Sequence, residues 1–139
     1  MLTLIELENF KAFGRNTRIP LAPITLIFGE NSAGKSSILQ ALNLLKQTVS
    51  GSGLGAPLLF RSEDEISNLG SFKEVVFDHE TRRDLRIGLE CDHGGAAWQV
   101  SGRLLRGSWG GAMPTGLFKS SDRLGLTFIY NFSKGTREA

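Results

Sequence analysis

Gly29-Glu30-Asn31-Ser32-Ala33-Gly34-Lys35-Ser36-Ser37 is the stretch from which the fold of this chain is read. It fits the spacing G-x-x-x-x-G-K-[ST]. Gly29 and Gly34 permit backbone angles and close approaches that a Cβ would forbid. The amides of residues 31 to 36 can then turn inward as a nest for an anion. A helix beginning at Lys35 would point its unpaired N–H groups and partial positive charge at the same place. Lys35 suits a β- or γ-phosphate as a point charge. The Ser36 hydroxyl suits Mg²⁺, a hard cation that prefers oxygen and keeps several waters. The ligand that unites these preferences is a magnesium-bound nucleoside triphosphate.

The flanks supply the setting this chemistry requires. Upstream, Ile24-Thr25-Leu26-Ile27-Phe28 is an apolar, β-branched run that reads as a buried strand. Downstream, Ile38, Ala41, Leu42, Leu45 and Val49 recur at helical spacing, predicting a helix over 35–50. Gly51-Ser52-Gly53 then reads as its end, because glycine suits the left-handed position after a helix. Strand, glycine loop and helix in that order form the phosphate-binding unit.

Two short strands precede it. Residues 2–10 alternate as a strand, 11–16 read as a turn, and 17–21 as a second strand broken by Ala22-Pro23. Such a leading hairpin is placed to fold over a nucleotide base. Ile5-Glu6-Leu7-Glu8-Asn9-Phe10-Lys11-Ala12-Phe13, followed by Ile24 to Ser37, resembles the N-terminus of the SMC/RecF/OLD-like branch of ABC-type ATPases. These are often labelled AAA-family ATPases with an ABC-like head. In that branch an x-NF-x-x-F strand and turn precede a G-x-N-x-x-G-K-S loop, and Asn31 stands at the branch's asparagine. Ser32 replaces the glycine usual in SMC-like members. The resemblance covers about residues 1–50, and Asn68 to Lys73 resembles bacterial members more weakly.

Beyond a loop over 51–70 the apolar period changes to two. Leu85, Ile87, Leu89 and Cys91 alternate, and Asp92-His93-Gly94-Gly95 is a turn signal. Ala96, Trp98, Val100 and Leu104 read as a returning strand, 107–116 as a glycine-rich loop, and Leu124 to Phe132 as a further strand. Residues 71–133 are thus read as mainly antiparallel β. An antiparallel layer beside the nucleotide core is what the resemblance implies. Residues 134–139 form a polar tail.

Composition bounds the function classes. The 139 residues suffice for one modest domain. A net charge of +2 is too small to argue for nucleic acid. The single Cys91 excludes an internal disulfide and suits a reducing cytoplasm, while no apolar run reaches membrane-span length.

Other candidate site residues carry competing readings. Glu74-Val75-Val76-Phe77-Asp78-His79-Glu80 can be compared with a Walker B strand, whose terminal carboxylate holds Mg²⁺ through water. Its apolar run is short, and His79 stands where an acid would follow, so an ordinary strand end with a turn aspartate is favoured. Gln99 can be compared with the Mg²⁺-contacting glutamine of an ABC head, but it lies inside a strand pattern and fits a solvated strand face better. Lys11 and Arg15 sit in the first turn, where a basic side chain either stacks on adenine, meets a phosphate, or is simply solvated. Cys91 and His93 are too few for a zinc site. Arg82, Arg83, Arg103 and Arg106 are interspersed with acids and read as a solvated face. Trp98 and Trp109 read as packing residues.

The expected fold class is α/β. It is a P-loop NTPase lobe like an ABC-ATPase head, with a mixed sheet carrying the phosphate loop and an adjoining antiparallel β layer. The whole of 1–139 is expected to be one N-terminal ATP-binding lobe. The expected cofactors are ATP and Mg²⁺, held by Gly29, Glu30, Asn31, Ser32, Ala33, Gly34, Lys35, Ser36 and Ser37. By resemblance, such a lobe pairs head to head with a second copy or with a complementing ATPase half. Its setting would be DNA repair, chromosome maintenance or antiviral defence in the cytoplasm, with DNA or a nuclease or effector as partner and no membrane. No Leu-Ser-Gly-Gly-like signature appears, so hydrolysis would need a second half. A non-hydrolytic ATP sensor and a small-molecule kinase are the competing readings.

Overall fold

The computed structural model describes residues 1–31, 33–52, 58–60, 68–92, 113–119 and 123–130. Five strands form one antiparallel sheet: β1 (Leu2–Glu8), β2 (Thr17–Pro20), β3 (Leu85–Asp92), β4 (Met113–Lys119) and β5 (Arg123–Tyr130). Their order is β2-β1-β3-β5-β4. Register follows from which residues must share the buried face. Ile5 lies opposite Ile19 and Leu89, and Leu7 opposite Ile87. Ile87 in turn pairs with Phe128, and Leu85 with Tyr130. Ile5, Leu7, Leu85 and Ile87 are completely buried.

The opposite face is charged. Arg18 bridges Glu90 at 2.6 Å and Glu6 at 3.8 Å, and Arg86 lies 3.6 Å from Glu8 directly across the ladder. Arg18–Glu6 and Arg86–Glu8 join neighbouring strands, Arg18–Glu90 reaches across β1 from β2 to β3, and together they hold the register from the solvent side.

Helix α1 (Lys35–Ser52) covers the apolar face. Among the described residues its buried ones are Ile38, Ala41, Leu44 and Leu45, with Ser37, Gln47 and Thr48. The stripe is therefore rotated slightly from the predicted one, with Leu44 buried and Leu42 only partly so. Gln47 and Thr48 are tolerated because both are satisfied. Gln47 Nε2 donates to the Leu59 carbonyl, and Thr48 Oγ1 donates to the Leu44 carbonyl while accepting from the Leu59 amide. The helix runs through Gly51 to Ser52 instead of stopping before it. A single glycine costs only about 1 kcal/mol in a helix.

Three expectations need correction. Residues 74–80 are not a strand end. They lie in a short helix, α2 (Phe72–Val75), and a 3₁₀ turn over Phe77–His79. Gly70 at φ +79 lets the Glu74 carboxylate reach the Ser71 amide at 2.6 Å and start that helix. The predicted loop over 107–116 gives way, from Met113, to strand β4. Most consequentially, Ile24–Phe28 is not a strand of any described sheet, and among the described residues every strand pairing is antiparallel where a mixed sheet was expected. The proposed strand over 96–104 and the turn at 93–95 lie outside the described residues.

Candidate functional site

The chain leaves β2 through Leu21, whose amide donates to the Thr3 carbonyl at 2.8 Å, and then departs from the sheet. Thr25 Oγ1 closes a small turn by accepting from the Ala22 amide and donating to its carbonyl. Ile24, Leu26 and Phe28 follow, 83%, 73% and 85% exposed. None of the backbone groups of residues 24–28 pairs with another backbone group among the described residues.

The glycine loop that follows takes the backbone shape its sequence requires. Gly29 has φ +151 and Gly34 φ +88, a region that strains any residue with a Cβ. The Ala33 amide donates to Glu30 at 3.3 Å, and the Ser37 amide to Gly34 at 3.0 Å. The amides of Asn31, Gly34 and Lys35 have no acceptor among the described residues. No acidic residue occupies the first turn of α1, so the positive end of its dipole is left uncompensated by its own side chains. Asn31, Gly34, Lys35, Ser36 and Ser37 line one open pocket of about 180 Å³ at this point.

Lys35 bends back over its own loop. Its Nζ donates to the carbonyls of Gly29, at 2.6 Å, and Glu30, at 2.5 Å. The ammonium is thus already held among the loop residues. The Ser36 hydroxyl is on an exposed residue of the pocket wall, whereas Ser37 is 8% exposed. Free amides, one ammonium and two hydroxyls are a donor set for a polyphosphate with a hard cation. The described residues contain no cluster of three or more His, Cys, Asp or Glu able to hold a metal. Mg²⁺ here would have to be shared between Ser36 and the ligand's own phosphates, which suits an ion that is usually bound through its substrate.

Of the predicted site residues, Glu30 and Ala33 are exposed parts of the loop, and Ser32 lies outside the described residues. Lys11, at φ +47, is fixed through its amide to the Val75 carbonyl at 2.7 Å. Arg15 is exposed, and no bond from either basic head group to the loop exists among the described residues. Asp78 does not join the site residues. It sits exposed at φ +56 in the 3₁₀ turn, neither on a strand nor on the pocket wall. Gln99, Arg103, Arg106, His93, Trp98 and Trp109 are outside the described residues.

One neighbour of the site was not singled out in the sequence. The turn after Asn9 packs on the loop's second glycine: a Cβ at Gly34 would stand 3.1 Å from Ala12 Cβ and 3.2 Å from Phe13 Cζ. The signal for it was the spacing of Phe10 and Phe13, read only as part of a motif.

A family model described as AAA ATPase domain matches residues 1–93. No curated protein matches the chain. The matched span contains β1, β2, the glycine loop, α1, α2 and β3.

Proposed function

The chain belongs to the AAA ATPase domain family, and from that premise we propose that it binds Mg·ATP in the pocket at the start of α1. The observation that carries this reading is the set of unpaired amides at Asn31, Gly34 and Lys35 around the Lys35 ammonium. In it the loop amides and Lys35 hold the phosphates, Ser36 and Ser37 contribute hydroxyls, Ser36 to Mg²⁺, and Gly29 shapes the loop. Residues 1–139 act as one ATP-binding lobe, the N-terminal half of an ABC-type head. The exposed, unpaired segment 24–28 supports a lobe that is completed by strands from a complementing ATPase half or by head-to-head pairing. DNA repair or maintenance, or defence against phage, is the setting proposed, and the cytoplasm its location. No helix among the described residues is long and apolar enough to cross a membrane.

A second reading has its own observation. The pocket wall carries no carboxylate among the described residues, and Asp78 stands apart from it. This favours a lobe that binds ATP without hydrolysing it alone, as a sensor for a partner nuclease or effector. Phosphate release by the chain, beside radiolabelled ATP retention, separates the two. Retention without release supports the half-site or sensor reading. Turnover by the chain alone, abolished in Asp78→Asn, contradicts it. No ATP retention would overturn both.

A further inference from the structure

We infer that Phe13 is a positioning residue for the phosphate loop: its ring holds Gly34, and through Gly34 the start of α1, at a fixed place on the antiparallel layer. The inference rests on the nucleotide-binding reading above and adds a residue to it. Phe13 does not line the pocket. It meets a residue that does. Phe13 Cζ and Cε2 lie 3.2 and 3.3 Å from where a Gly34 Cβ would stand, tighter than ordinary van der Waals contact, so the ring edge lies against the glycine itself.

The other side of Phe13 is anchored. Its amide donates to the Phe10 carbonyl at 2.8 Å, and the Phe10 amide returns a bond to Phe13 at 3.0 Å. Phe10 is completely buried and bridges to Val76. The Lys11 amide donates to Val75, and the Phe77 amide to Asn9 at 3.0 Å. Asn9 and Lys11 on one segment, and Asp78 and His79 on the facing one, all have positive φ. Such backbone conformations persist only where surrounding structure over-determines them. The turn is therefore a rigid post between the sheet and the loop.

The loop needs such a post. Residues 22–31 ahead of it are exposed, and its own bonds are local. Phosphate binding by backbone amides depends on their placement, because a hydrogen bond weakens steeply as its length and angle depart from the optimum. Gly34 is then required twice, for its φ and for the ring that abuts it.

Two variants test the contact. Phe13→Leu withdraws the ring edge from Gly34. Phe13→Tyr retains the ring and adds an oxygen to the atom that abuts the glycine, which forces ring and loop apart. Each should weaken Mg·ATP binding by about tenfold or more, the loss of one charge-assisted hydrogen bond, with the unfolding midpoint of nucleotide-free Phe13→Tyr unchanged. In a double-mutant cycle for affinity, Gly34→Ala and Phe13→Leu should be non-additive, because the leucine removes the ring's share of the alanine's steric cost and leaves the Ala12 contact and the φ strain. Wild-type affinity in both Phe13 variants would overturn the inference. If Phe13→Leu fails to fold, Phe13→Tyr decides alone. If the wild-type chain itself binds no nucleotide, the functional reading falls, and amide exchange at residues 34–37 still reads the contact. Exchange faster in Phe13→Tyr supports it, and unchanged exchange overturns it.

Discussion

Leu26 sits in the middle of an apolar run whose pattern is that of a buried strand, yet it is 73% exposed. Replacing it with asparagine therefore separates pattern from structure. Fully burying a leucine side chain contributes roughly 1.5–3 kcal/mol. About a quarter of that is at stake here, so Leu26→Asn should cost about 0.4–0.8 kcal/mol. Were the run a central strand, the lost packing and the buried amide together would cost several kcal/mol. Ile87→Ala supplies the scale, since Ile87 is completely buried and pairs with Leu7 and Phe128; its cost should be about 2–5 kcal/mol. Urea unfolding followed by circular dichroism reads both as midpoint shifts at constant slope. The asparagine should also reduce any self-association, because Ile24, Leu26 and Phe28 form an exposed apolar segment. A loss for Leu26→Asn as large as that for Ile87→Ala would refute the placement of 24–28 outside the packed layer.

Gly70→Ala should cost roughly 2–3 kcal/mol in thermal unfolding, because a Cβ there would fall 1.6 Å from Glu74 Oε2 on a residue at φ +79 and the helix would lose its cap; a melt within about 0.5 kcal/mol of wild type would contradict this. Burial pushes the Tyr130 phenol above its ordinary value. The unfolded chain then loses this proton first as pH rises past 10, so the folded state binds more protons and stability falls. Tyr130→Phe should remove part of that alkaline loss while leaving stability at pH 7 nearly unchanged, as read by urea unfolding at both pH values.

Much of the scaffold was legible because it obeys local rules. Alternation at Leu85, Ile87 and Leu89 marked β3, and the Ile38-Ala41-Leu45 spacing marked α1. The glycine loop was legible because its φ values and hydroxyls are set by chemistry within nine residues. The illegible parts depend on distant partners. Ile24 to Phe28 carries a strand's composition, but composition cannot supply the neighbours that complete a ladder. Residues 74–80 read as a strand end because Val75, Val76 and Phe77 are β-formers. The Ser71–Glu74 cap and the Lys11–Val75 bond override that preference. The contact of Phe13 with Gly34 joins residues 21 positions apart, and no local period announces it.

The central claim is that the loop amides and Lys35 hold a triphosphate. Calorimetric titration of the chain with Mg·ATP tests it most directly, with Lys35→Ala alongside. Saturable heat at one site per chain, lost or weakened by about tenfold or more in the variant, is the predicted result. No heat with Mg·ATP, or equal heat from chain and variant, would contradict it.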